Sequence, residues 1–272
     1  MPTDALPAPG RWRPTPLLVT SAGIHAGAAA AVLARPPLWP WALGAVLANH
    51  ALLTAAGLWP RSQLLGPNWT RLPCNPGDRR IALTLDDGPD PEITPRVLEL
   101  LARTGVAATF FCIGERVAAH PGLTREVIAA GHAVENHSQR HLHHFSLLGP
   151  RGLRAEIERA QHTIAAATGV SPRFFRAPAG LRSPLLDPLL QRLGLRLASW
   201  TRRGFDTVDH HPARVLGALT RALGPGDILL LHDGHAARSP GGTAVVLEVL
   251  PRLLAAVRDA GLKPVTLRAA LP

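Results

Sequence analysis

The chain has no tyrosine, one methionine, two cysteines and, in Lys263, one lysine among 272 residues. Two cysteines exclude a disulfide-stapled scaffold, which needs them at high density. Charged residues make up 18% and hydrophobic residues 46%, a balance that excludes a disordered tail and a long charged coiled coil. Arginine supplies nearly all of the 29 cations, and the net charge is +10. Such an excess suggests nucleic acid, but no basic run exceeds two residues and no aromatic stacking platform accompanies one. No nucleic-acid partner is expected, and contact with anionic membrane lipids accounts for the charge more simply.

Tryptophan is unevenly spread: Trp12, Trp39, Trp41, Trp59 and Trp69 come first, and Trp200 alone serves the remaining two hundred residues. Residues 15–34 and 38–60 contain no Asp, Glu, Lys or Arg, and each run is long enough to cross hydrocarbon as a helix. Indole rings bracket both runs, as at a membrane interface. Gly23 with Gly27, and Gly44 with Ala48, would allow close helix approach in lipid. The first run also reads as a buried soluble helix or a signal-peptide core, although a second apolar run following at once argues against cleavage. The expected organisation is an N-terminal tail over 1–14, a membrane anchor over 15–60, a Pro- and Gly-rich linker over 61–77, and a domain over 78–272.

Arg11 and Arg13 precede the first run, Arg35 alone separates the two, and Arg61 and Arg71 follow, with Arg79 and Arg80 beyond. Two spans would therefore form a hairpin with both ends in the cytoplasm, whereas one span would leave the domain free to face outward. A cytoplasmic, membrane-held domain would meet lipid-linked or nucleotide-linked substrates rather than an exported wall polymer.

Beyond residue 77, strand patterns at 81–85, 107–112, 132–135, 173–175, 195–200, 228–231 and 264–267 alternate with helical patterns at 95–103, 123–130, 153–168, 185–193, 213–223 and 243–260. Alternation of this kind predicts a parallel sheet with crossover helices, in a barrel-like α/β domain whose chemistry collects at the C-terminal strand ends. Cys112 should lie buried in the second strand and Cys74 in the linker, so no disulfide is expected.

The strand ends carry the unusual residues. The first runs Thr84-Leu85-Asp86-Asp87-Gly88-Pro89. Adjacent carboxylates after a buried strand are costly unless a metal or cations compensate them, although a lone Asp-Asp-Gly can simply start a turn. After the third strand, His137 and His141 have a spacing that could face one metal from a helical turn, and Asp87 would complete a two-His, one-carboxylate set suited to Zn²⁺, Fe²⁺ or Co²⁺. After the fourth comes Arg176-Ala177-Pro178-Ala179-Gly180, where Arg176 could hold a carboxylate by a charge-assisted bond. Near the end, Leu231-His232-Asp233 closes an apolar strand, and a histidine there can donate a proton.

Taken in order, Thr84 to Pro89, His137-Ser138-x-x-His141, Arg176-x-Pro178-x-Gly180, Trp200 with Asp206, and Leu231-His232-Asp233 resemble the five motifs of the NodB-type polysaccharide deacetylases, carbohydrate esterase family four. The likeness covers roughly residues 78 to 270. It implies a distorted (β/α) barrel, here preceded by one or two transmembrane helices, and removal of an N-acetyl group from an amino sugar in a glycan or glycolipid. It makes Asp87, His137 and His141 ligands of a divalent metal, Zn²⁺ first, with Co²⁺, Fe²⁺ or Ni²⁺ as alternatives. It makes Asp86 the general base paired with Arg176, and His232 the acid oriented by Asp206. Pro178, Ala179, Gly180, Trp200 and Leu231 would bind substrate, with a backbone N–H near Ala179 facing the oxyanion. The family's tyrosine after the third-motif proline is Ala179 here, and the tryptophan that often follows Asp206 is Thr207, so substrate specificity transfers least. Alternatives within the same fold are a deformylase or deacetylase of a lipid-linked sugar at the cytoplasmic membrane face, or a metallohydrolase of a non-carbohydrate amide. Arg202 and Arg203, beside the expected site, would favour an anionic substrate unless they are merely solvated.

Overall fold

The computed structural model describes residues 12–271; positions 1–11 of the expected tail lie outside the described residues. Helix α1 (Pro16–Ala34) begins where the Thr15 hydroxyl accepts the Leu18 N–H and proline opens the first turn. A 3₁₀ turn at Pro36–Leu38 reverses the chain into α2 (Trp39–Leu58). Both helices are long and apolar enough to cross a membrane, and only 6% and 17% of their most apolar windows are buried, so neither is a core helix of the domain. They meet through polar pairs: Asn49 Nδ2 donates to Ser21 Oγ at 2.8 Å, and His25 and His50 bring their Nε2 atoms to 3.2 Å. The glycines do not form this seam, because a Cβ built at Gly23, Gly27 or Gly44 would meet nothing within 4 Å.

The domain is a curled parallel sheet. Its strands are β1 (Arg80–Asp86), β2 (Thr109–Cys112), β3 (Ala133–Asn136), β4 (Phe174–Phe175), β5 (Arg196–Leu197), β6 (Arg202–Arg203), β7 (Ile228–His232) and β8 (Lys263–Pro264). They run in the order β5-β4-β3-β2-β1-β7-β6, with β8 beside the start of β1. Helices α3 (Thr94–Thr104), α4 (Gly114–Ala119), α5 (Pro121–Ala129), α6 (Pro150–Thr168), α7 (Leu186–Arg192), α8 (Pro212–Thr220) and α9 (Val245–Asp259) complete the domain. Side-chain alternation divides the central strands: Leu83, Leu85, Leu229 and Leu231 pack with Val97, Leu101, Leu250 and Leu253 of α3 and α9. Ala82, Phe111, Phe174, Leu230 and Trp200 fill the other face, inside the curl. Thr84, Asp86 and His232 share that inner face by the same period.

Two elements have no counterpart in the periodicity. Helix α4 is too short to show a repeat, and β6 is a pair of arginines with no apolar pattern, paired instead to Leu229 and Leu230 of β7. The stretch 61–77, read as a linker, packs tightly, with Ser62, Leu65 and Asn68 buried. Trp69 bridges to Ala198 and Arg71 to Asp227, so this stretch ties the β5 side of the open curl to the start of β7. The end of α2 docks on the same region: the Arg182 N–H donates to Gly57 O at 3.1 Å, and a Cβ at Gly57 would fall 2.3 Å from the Arg182 carbonyl oxygen. Gly57→Ala should therefore loosen this joint. The expected outcome is faster tryptic cleavage at the exposed Arg61 in detergent-solubilised protein, with the domain itself staying folded.

Candidate active site

Sheet register brings the motif residues together. Asp86 lies opposite Phe111 on β2 and His232 on β7, so the first carboxylate of the first motif and the histidine of the fifth are neighbours across one ladder. Cys112 pairs with Asn136 and Asn136 with Phe175, which places His137 and Arg176 one residue beyond aligned strand ends. The chain then turns sharply after Asp86. Asp87 has φ 72°, and a Cβ at Gly88 would lie 2.2 Å from the Asp233 carboxylate, so only glycine fits there.

His137 and His141 do not sit on a helical turn. Ser138 and His141 have left-handed backbones, and the loop is held by Asn136 Oδ1 accepting the Ser138 N–H at 2.8 Å and Ser138 Oγ accepting the His141 N–H at 3.0 Å. Short polar side chains that bond their own backbone replace the helix. The loop still brings both rings to Asp87: Oδ1 is 3.3 Å from Nε2 of His137 and 3.3 Å from Nε2 of His141. This buried Oδ1 has no hydrogen-bond partner, an arrangement that a cation would satisfy. His137 Nδ1 faces the Arg176 carbonyl at 2.8 Å, which leaves its Nε2 lone pair for a metal. Ligand atoms of Asp87, His137 and His141 all lie within 4.8 Å of one another, so these three residues can hold a divalent ion. Burial opposes ionisation of Asp87, yet the surrounding imidazoles of His137, His235 and His141 hold it well below the usual carboxylate range. Burial, then the neighbouring His137, pushes His141 down to about 4, which keeps it neutral near pH 7.

Asp86 is compensated on the other side. Arg176, 1% exposed, donates through Nη1 to Asp86 Oδ1 at 2.6 Å and to Thr84 Oγ1 at 2.9 Å. Its remaining donors reach the carbonyls of Ala198 and Ser199, and its plane lies 4.0 Å over the Phe111 ring. Burial lowers the Arg176 pKa and the Asp86 charge opposes that shift. His232 is oriented by Asp206, whose Oδ1 lies 2.9 Å from Nδ1 and whose Oδ2 accepts the His232 N–H at 2.8 Å. Burial pulls His232 down, but the Asp206 hydrogen bond and charge, with Asp86 and Asp87 behind, raise it above its ordinary value.

A cavity of about 660 Å³ opens over this cluster, lined by Asp86, Asp87, His137, His141, His232, Ala179, Gly180 and Trp200. Two expected substrate contacts fall elsewhere. Leu231 is fully buried in the outer core, because strand alternation turns Leu230 into the cavity instead. Pro178 is buried in the 3₁₀ turn Pro178–Gly180, which presents Ala179 and Gly180 to the cavity. Sequence reasoning missed Arg116 and His235: Arg116 Nη2 lies 3.0 Å from His235 Nε2, and His235 Nδ1 is 3.5 Å from Asp87 Oδ2. His235 follows the fifth motif by two residues and could have been suspected; Arg116, on the unread helix α4, gave no signal.

A carboxylate with two imidazoles at an open position, flanked by a buried carboxylate–arginine pair and a carboxylate-held histidine, defines the site of a metal-dependent hydrolase. Residues 74–198 match the family model for polysaccharide deacetylase. The chain is 37% identical over 160 residues to a chitooligosaccharide deacetylase of Bradyrhizobium, covering 58% of this chain and 73% of that one. It is 32% identical over 184 residues to a peptidoglycan-N-acetylglucosamine deacetylase of Bacillus cereus, covering 65% and 82%. Among solved structures, a family 4 carbohydrate esterase from Streptomyces lividans in complex with acetate is similar at 32% identity and a TM-score of 0.62, over 71% of this chain and 93% of that one. The chain belongs to the polysaccharide deacetylase family and is a carbohydrate N-deacetylase, a hydrolase of carbon–nitrogen bonds other than peptide bonds.

Removing Arg176 should strand a buried carboxylate. Arg176→Met is expected to cost about 3–5 kcal/mol in urea unfolding, and adding Asp86→Asn should recover part of that loss.

Proposed function

We propose that this protein removes the N-acetyl group from an amino sugar in a glycan or glycolipid, with Asp87, His137 and His141 holding the metal. The observation that carries the reading is the orphaned, buried Asp87 Oδ1 set 3.3 Å from two imidazole nitrogens, beside a second carboxylate already satisfied by Arg176. The donor set suits Zn²⁺ first, with Co²⁺, Fe²⁺ or Ni²⁺ as alternatives. Bound there, the cation supplies Lewis-acid polarisation of the amide carbonyl and acidifies water.

The chain's own residues do the rest. Asp86, which lines the cavity, accepts the proton of the attacking water, its Oδ1 held by Arg176 Nη1 and its Oδ2 3.7 Å from His137 Nε2. The turn at Ala179, with φ 54°, offers a backbone N–H toward the oxygen on which charge develops. His232 donates a proton to the departing amine, which leaves poorly without one, and Asp206 holds the ring for that task. Trp200 forms the wall against which the acetyl group rests. The two apolar helices α1 and α2 support membrane attachment, and the arginines outside them, set against Arg35 alone in the turn, favour a cytoplasmic catalytic domain. The named substrates of the relatives, chitooligosaccharide and peptidoglycan N-acetylglucosamine, are both N-acetylated amino sugars, which supports the substrate class.

Metal-loaded protein should release free amine from N-acetylated chitooligosaccharides, and His141→Ala should abolish both the bound metal and the amine; retained activity in the metal-free protein would contradict the reading. Because His232 must carry a proton, the rate should fall as pH rises through its elevated pKa. Asp206→Asn removes the main cause of that elevation, so the alkaline decline should begin at lower pH, as read from a pH–rate profile. In sealed right-side-out vesicles the domain should resist added protease.

A further inference from the structure

One pocket cation is left without an acidic partner. Of the three arginines lining the cavity, Arg140 is paired with Glu156 at 2.6 Å, and Arg116 hydrogen-bonds His235 and lies 4.0 Å from Asp90. Arg203 has no carboxylate within ion-pair distance among the described residues, and its buried Nε has no hydrogen-bond partner. Its neighbour Arg202 is bound to Asp227 at 2.7 Å, so the two cations of β6 have different fates. Arg203 is nonetheless fixed: its guanidinium carbon lies 5.5 Å from the Trp200 ring centre and 5.0 Å from that of Phe205. A guanidinium stacked on aromatic faces is already ordered, and its N–H edges remain available for a bidentate oxyanion.

The wall bearing Arg203 is also the wall to which the hairpin is fastened. Two residues past α2, the Pro60 carbonyl accepts Ser199 Oγ at 2.7 Å, and the Pro60 ring sits where a Cβ on Gly180 would come within 2.7 Å. Arg61 Nη1 donates to the Thr201 carbonyl at 3.3 Å, so the end of the hairpin holds the chain on both sides of Trp200. A neutral N-acetyl polymer offers Arg203 only uncharged hydroxyl and carbonyl acceptors, whereas a sugar carried on a membrane lipid through phosphate brings an anion next to its ring.

We propose that Arg203 binds the phosphate of a lipid-linked N-acetyl amino sugar, and that the hairpin holds the Trp200–Arg203 wall at the membrane surface where such a substrate resides. This specificity rests on the N-deacetylase reading and is tested with the full chain reconstituted in phospholipid vesicles. Amine release is compared for N-acetylglucosaminyl-pyrophosphoryl-polyprenol in the vesicle, UDP-N-acetylglucosamine and neutral chitotetraose. The lipid-linked sugar should give the highest kcat/KM. Arg203→Gln should lower the ratio of lipid-linked to neutral kcat/KM by about 10- to 100-fold, the range of a lost charge-assisted hydrogen bond, and Arg203→Lys should restore part of it. An unchanged ratio, or a wild-type preference for the nucleotide sugar, would overturn the proposal. If the wild type releases amine from none of the three, the deacetylase reading has failed instead; calorimetry with N-acetylglucosamine 1-phosphate against N-acetylglucosamine then decides, since the proposal requires tighter binding of the phosphate, lost in Arg203→Gln.

Discussion

Two carboxylates on consecutive residues at the end of a buried strand are the constraint around which the domain is arranged. Asp86 and Asp87 are both nearly inaccessible, and like charges so close would force one to protonate unless each had its own counter-charge. The backbone separates them: Asp86 ends β1 in an extended conformation facing the inside of the curl, while the left-handed Asp87 swings its carboxylate toward the loop after β3. Each then finds a different environment. Arg176 satisfies Asp86 directly, and Asp87 is left with an oxygen aimed at two imidazoles and bonded to nothing.

Much of the surrounding structure serves that separation. The all-parallel sheet delivers the ends of β1, β3, β4 and β7 to one edge, and its register decides which residues meet. Arg176 could not be buried without the carbonyls of Ala198 and Ser199 just beyond β5, which absorb the donors that Asp86 leaves free. Those residues are in turn braced by Trp69 and Pro60, so the segment leaving the hairpin supports the arginine that holds Asp86. The helical hairpin and the cavity are thus mechanically continuous.

The parts legible in the sequence were those written as long patterns or as ordered polar residues at strand ends. The apolar run of β7 falls into this class, as does the placement of Asp87, His137, Arg176 and His232 just at or beyond strand ends, because a polar residue closing an apolar strand stands out in the pattern. What the sequence hid depends on contacts between distant segments. The His137–His141 spacing fits a helical turn equally well, and only the Asn136 and Ser138 side-chain bonds decide for a left-handed loop. Leu231 stood inside a motif, but period-two alternation faces Leu230 to the cavity. Arg202 and Arg203 were indistinguishable until β6 placed one on Asp227 and the other between two rings.

The central claim is that the adjacent carboxylates have different tasks, one holding the metal and one moving a proton. It is tested most directly by measuring bound metal and amine release together for Asp86→Asn and Asp87→Asn. The account predicts that Asp86→Asn retains metal while losing turnover, and that Asp87→Asn loses both. Loss of metal from Asp86→Asn, or its retention in Asp87→Asn, would contradict it.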